Sequence, residues 1–170
     1  TAYRRQRQMC IRDRFIIHPH GGPNARDYWG YNPEVQFYAT RGYGVIQMDY
    51  RGSTGYGREE MILANHQMGK KMQEDKYDAL MWANEQGYVD MNNVCISGAS
   101  YGGYAAMQAA TKNPELFKCI IAYVGVYDLT SMDLRGLRWS DLGMPMEYIE
   151  KGDPRDCLLY TSPSPRDVEE

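Results

Sequence analysis

Val94-Cys95-Ile96-Ser97-Gly98-Ala99-Ser100-Tyr101-Gly102-Gly103-Tyr104 is the stretch that decides the fold. Its first four residues form a short apolar run of the kind that makes a buried strand. From Tyr101 to Lys112 the chain is rich in Ala, Met and Gln, which suits a helix. A strand that passes into a helix across Gly-Ala-Ser-Tyr-Gly is the setting of a nucleophile elbow. In such a turn the serine backbone is held in a strained conformation, so that its hydroxyl projects from the edge of the sheet. Side chains two residues before and two after would strike the crossing strand and helix, so Gly98 and Gly102 fit there, with Gly103 completing the elbow. The helix that follows aims its N-terminal N–H groups at the same point and favours developing negative charge. Ser100 is therefore the candidate nucleophile. A Gly-rich turn with a solvent-facing serine would not call for glycine at both of those positions.

Working outward, Phe15-Ile16-Ile17-His18-Pro19-His20 reads as a strand that stops at Gly21-Gly22-Pro23. Tyr43–Tyr50 reads as a second strand, closed by the Gly-rich loop Arg51-Gly52-Ser53-Thr54-Gly55-Tyr56-Gly57. Asp75–Gln86 reads as an amphipathic helix with Tyr77, Leu80 and Met81 on its inner face, ended by Gly87. Lys118–Val126 reads as a further strand, apolar on both faces. Strands alternating with helices imply an α/β fold with a parallel sheet covered on both sides.

The loop His20-Gly21-Gly22-Pro23 is the second chemical element. Stabilising an oxyanion takes two donors aimed where charge appears. One is the backbone N–H of Tyr101, next after the nucleophile. The other comes from the loop after an earlier strand, and Gly22 is the candidate.

Composition narrows the partners. The chain has 170 residues, 43% hydrophobic, with a formal net charge of -3. That leaves no basic surface to argue for nucleic acid, and no apolar run approaches the roughly 18 residues of a membrane span. No metal or cofactor site is visible: the Gly-rich loop lacks the Gly-Lys-Ser/Thr of a phosphate-binding loop. Of four cysteines, Cys10 and Cys157 lie near the ends. Cys95 and Cys119 lie inside apolar runs and are expected to be buried free thiols, which favours a reducing, cytoplasmic setting.

Taken together, HPHGGP, YRGSTGYG, KKMQEDKYDALMWANEQGYVD, VCISGASYGGYAAM and PELFKCIIAYVGVYDL resemble, in this order, the catalytic domain of the prolyl oligopeptidase family, near its acylaminoacyl-peptidase and dipeptidyl-peptidase-like members. The resemblance implies an α/β-hydrolase fold and a serine peptidase acting on short peptides. It implies Ser100 as nucleophile and the amides of Tyr101 and Gly22 as oxyanion hole. It also implies a β-propeller domain in the parent protein, and a pocket wall that includes Val126 and Leu129. Arg51 and Asp75 match motif positions and read as a pair bracing the loop. A carboxylesterase or lipase on the same fold, or a non-catalytic module, are the competing readings.

The two ends differ from the middle. Residues 1–14 (TAYRRQRQMCIRDR) and 155–170 (RDCLLYTSPSPRDVEE) have no hydrophobic periodicity and resemble translated sequencing-adapter read-through. They are set aside as a non-native or disordered arm and tail. Residues 15–154 remain as a partial α/β-hydrolase domain. With the +4 of the first segment and the -2 of the last set aside, this domain carries a net -5.

One departure from the family is decisive. Its catalytic order is Ser, then Asp or Glu, then His, yet His18, His20 and His66 all precede Ser100. His18 reads as packed, His20 as orienting the oxyanion loop, and His66 as a surface residue. Asp128 follows the strand beside the elbow strand, one strand too early for the triad. The 170-residue chain is accordingly expected to lack its catalytic base, to be poorly soluble and to be inactive.

Overall fold

The computed structural model describes residues 14–65 and 67–127. Among these, four strands form one all-parallel sheet: β1 (Phe15–Pro19), β2 (Gly44–Met48), β3 (Val94–Ala99) and β4 (Cys119–Tyr123), in spatial order β2-β1-β3-β4. The helices are α1 (Pro33–Ala39), α2 (Arg58–Ile62), α3 (Lys71–Glu85) and α4 (Tyr101–Lys112), with a 3₁₀ turn at Met91–Asn93.

β1 is buried along its whole length because strands flank it on both sides. Its inner positions Phe15 and Ile17 join Val94 and Ile96 of β3 in one core. Leu80 and Ala83 of α3 and Ala106 and Ala109 of α4 close over that core. Side chains alternate across a strand, so Ser97 faces the other way, and there Tyr38 of α1 bonds its hydroxyl at 2.8 Å. Helices thus cover both faces, as a parallel sheet requires.

α3 begins earlier than the sequence spacing predicts, and its buried stripe is different. Met72, Gln73, Lys76, Leu80 and Ala83 face inward, whereas Met81 is exposed and Tyr77 only partly covered. Polar residues at inward positions hid the true period from a reading that looked for apolar ones. Gly87 does end the helix: at φ +71° its N–H reaches the Asn84 carbonyl, and that of Tyr88 reaches Ala83. α1, for which the sequence reading made no provision, is capped by Asn32, whose side chain accepts from the Glu34 and Val35 N–H groups ahead of Pro33 at its first position.

Two expectations are corrected. β4 is not buried on both faces: its residues alternate between exposed and half-covered, because among the described residues only β3 pairs with it. Cys95 and Cys119 are not free thiols. They are in-register neighbours on β3 and β4, with Cα atoms 4.7 Å apart, and are joined as a disulfide. That separation lies within the range a disulfide spans.

Candidate active site

β1 sends its connection toward β2, while β3 sends its own toward β4. Between their carboxyl ends the chain parts in two directions, leaving the crevice where α/β sheets hold their ligands. Ser100 sits at that point, between the last residue of β3 and the first of α4. Its backbone has φ 56° and ψ -120°, a conformation that L-residues rarely adopt and that costs about 1–3 kcal/mol. The glycines around it answer to close approach. A Cβ on Gly98 would lie 2.5 Å from the Gly102 carbonyl, and one on Gly102 would run into the Pro19 carbonyl oxygen. One on Gly103 would meet the Tyr123 carbonyl at 2.8 Å. The elbow is therefore wedged between β1, β3 and the loop after β4.

The loop after β1 lies against Ser100. A side chain on Gly21 would come within 3.2 Å of the Ala99 carbonyl oxygen and 3.4 Å of Ser100 Cβ, so glycine lets backbone approach the serine. Gly22 follows at φ +139°. His20 fixes this loop from below. It is buried, with ring Nδ1 donating to the Gly21 carbonyl at 2.6 Å. Its Nε2 lies 3.0 Å from Ser53 Oγ and 3.4 Å from Asp49. Tyr50 stacks on the ring at 4.3 Å and donates its hydroxyl to the His20 carbonyl at 3.0 Å. Burial raises the Tyr50 phenol well above its ordinary pKa, which keeps it a proton donor there.

Arg51 and Asp75 do pair. Asp75 accepts from the Arg51 backbone N–H at 2.8 Å and from its guanidinium Nε at 2.9 and 3.0 Å. The hydrogen bond to Asp75 holds the guanidinium pKa above its ordinary value. Behind α4, the buried Lys76 donates to Gln73 and Gln108 side chains at 3.2 and 3.1 Å. Desolvation lowers its pKa from 10.5 to about 7. Gln73 donates to Tyr101 Oη at 2.8 Å.

Tyr50, Ser53, Gln73 and Lys76 were missed from sequence. Only Lys76 and Gln73 left a signal, as polar residues at the helical spacing of Leu80 and Ala83.

The remaining candidates divide. His18 is packed in β1, its Nδ1 on the Ser97 carbonyl at 2.9 Å. Val126 is half-exposed in the loop after β4, whose Gly125 approaches the start of α4 at Gly103. Leu129, Asp128 and His66 lie outside the described residues. No group of three His, Cys, Asp or Glu side chains is gathered among the described residues to hold a metal ion. No helix among them is long and apolar enough to cross a membrane.

Comparison with known proteins agrees with this geometry. A family model described as the prolyl oligopeptidase family matches residues 29–164, which takes in the elbow and runs ten residues past the boundary drawn at 154. Dipeptidyl aminopeptidase BIII of Pseudoxanthomonas mexicana is 42% identical over 117 residues, 69% of this chain and 17% of that protein. A solved Mycobacterium tuberculosis puromycin-hydrolyzing peptidase superposes with a TM-score of 0.64 at 32% identity, covering 71% of this chain and 18% of its own. The Pyrococcus horikoshii acylaminoacyl peptidase gives 0.66 at 26% identity, covering 71% and 20%. The fold is that of the α/β-hydrolase peptidases, and the chain spans only about a fifth of the length of these relatives.

Proposed function

The chain belongs to the prolyl oligopeptidase family of serine peptidases, and from that premise we propose that it carries the nucleophile and oxyanion hole of a peptidase acting on short peptides. Ser100 Oγ attacks the scissile carbonyl. The carbonyl oxygen becomes an oxyanion held by the backbone N–H groups of Tyr101 and Gly22. The C–N bond then breaks, the amine leaves with a proton, and Ser100 carries the acyl group until water releases it. Val126 contributes to the wall that receives the residue before the cut. The observation that carries this reading is the φ 56° turn at Ser100 with the Gly21-Gly22 loop drawn against it.

Ser100 needs a base to take its proton. His18 and His20 have their ring nitrogens on Ser97, Gly21 and Ser53, and no histidine follows Ser100 in this sequence. The chain spans only about a fifth of the length of its relatives, and we propose that the acid–base partners belong to a longer protein of that kind. A β-propeller domain in the parent protein belongs to the same proposal. Alone, the 170-residue chain turns over no substrate beyond a Ser100→Ala control.

Two free thiols would favour a cytoplasmic setting. With Cys95 and Cys119 joined, an oxidising compartment is the better fit.

The test uses the full-length protein. Aminoacyl and acyl-aminoacyl anilides are hydrolysed, and Ser100→Ala abolishes both that activity and labelling by a fluorophosphonate. Hydrolysis confined to simple p-nitrophenyl esters would overturn the peptidase assignment in favour of an esterase.

A further inference from the structure

The two donors of the oxyanion hole come from segments far apart in sequence, and both are tied to the first turns of one helix. On the nucleophile side, the Tyr101 side chain is buried, and its hydroxyl accepts from Gln73 Nε2 of α3 at 2.8 Å. Gln73 is itself buried. Its Oε1 accepts from Lys76 Nζ at 3.2 Å, so the amide nitrogen is the end turned toward Tyr101. On the oxyanion-loop side, Tyr50 donates to the His20 carbonyl at 3.0 Å, two residues before Gly22. Arg51, next in the chain, is clamped by Asp75 of α3 through its backbone N–H and its guanidinium. The Tyr50 and Tyr101 rings touch, with centroids 5.4 Å apart, so the two arms meet beneath the site.

We propose that α3 is the alignment element of the oxyanion hole: Gln73 positions the Tyr101 amide, and Asp75, through Arg51 and Tyr50, positions the Gly22 amide. The inference rests on Ser100, Tyr101 and Gly22 having the roles proposed above. Neither Gln73 nor Asp75 touches substrate. Both act on the separation of two donors whose value depends on sub-ångström placement, since a shift of about 1 Å can cost on the order of 10²-fold in rate. Alignment of this kind matters more to the tetrahedral adduct than to bound substrate, so it registers in kcat rather than KM.

The experiment is kinetic and uses the full-length protein. Gln73→Met fills the same space without the hydrogen bond to Tyr101. It should lower kcat about tenfold, less than the 10²–10³-fold loss on deleting a donor outright, with KM within about twofold. Affinity for a peptide aldehyde, which forms the tetrahedral adduct, should fall by the same factor as kcat/KM. Gln73→Glu puts an acceptor where the amide N–H was, so the Tyr101 hydroxyl turns to donate to it, and keeps an acceptor for Lys76; it should restore most of kcat. Asp75→Asn should show the same kcat loss through the other arm. If Gln73→Met does not fold, Tyr101→Phe deletes the same hydrogen bond from its other end and must give the same split. An unchanged kcat in folded Gln73→Met or Tyr101→Phe, a change confined to KM, or a Gln73→Glu variant as impaired as Gln73→Met overturns the Gln73 arm. A folded Asp75→Asn variant with full kcat overturns the other. Turnover that survives Ser100→Ala overturns the reading of the site itself. A dead Ser100→Ala beside an unaffected Gln73→Met overturns this inference alone.

Discussion

Arg51 and Asp75 join the loop that leaves β2 to the first turns of α3 through three donors on one residue (the backbone N–H, Nε and Nη2) and a single carboxylate. Both side chains are mostly covered, with 24% and 15% of their surface exposed. A guanidinium presents a planar fork to both carboxylate oxygens, whereas an ammonium presents a point charge. Arg51→Lys therefore keeps the charge and loses the clamp. It should cost about 1–3 kcal/mol of stability, read as a lowered Tm, and an exposed pair would lose far less. A Tm equal to that of wild type would show that charge alone suffices.

Ser100 holds a backbone conformation that glycine adopts freely. Ser100→Gly should therefore raise stability relative to Ser100→Ala by about 1 kcal/mol, although both variants lose the proposed nucleophile. Denaturant midpoints of the two variants give the comparison. Equal midpoints would mean that the turn is not strained.

Lys76 makes the α3–α4 packing depend on pH. Its folded pKa, about 7, lies below the ordinary 10.5 because burial disfavours the charged form, with Asp75 opposing in part. Between those values the unfolded chain holds a proton that the folded chain does not. Stability should therefore rise as pH climbs from about 7 toward 10 and be lowest, for this group, below 7. Lys76→Met should flatten that slope and raise stability at pH 6. Urea melts at several pH values decide it; parallel curves for the two proteins would show that Lys76 stays charged in the fold.

The Cys95–Cys119 bond closes a segment with a sequence separation of 24. A loop of that length contributes about 3 kcal/mol by restricting the unfolded chain. Alkylation without reductant should leave both cysteines unmodified, and Cys119→Ser should lower stability by about that amount. A Cys119→Ser variant whose Tm matches the oxidised wild type would mean that the bond adds no constraint.

What could be read from sequence was local. The elbow was legible because its glycines are demanded by atoms a few residues away: Gly102 crowds Gly98, and the helix starts at the next residue after Ser100. The loop histidine was legible for the same reason. The disulfide was not, because it depends on the β3–β4 register, which pairs Cys95 with Cys119 and leaves no mark on either run. β4 looked buried because its composition suits a central strand, whereas its exposure depends on what lies beside it. Tyr50 was invisible as the prop of the His20-Gly21-Gly22 loop, since its partner His20 is 30 residues away.

β1 and β3 are adjacent in the sheet yet distant in the chain: the His18–Ser97 contact between them spans 79 residues. The loop bearing Gly22 and the turn bearing Ser100 come together only when these strands pair. Long-range parallel pairing of this sort is slow to form. A half-folded polypeptide therefore carries the Ser100 turn without the Gly21-Gly22 loop set against it. The proposed site is thus assembled late in folding, together with the closure of the central sheet.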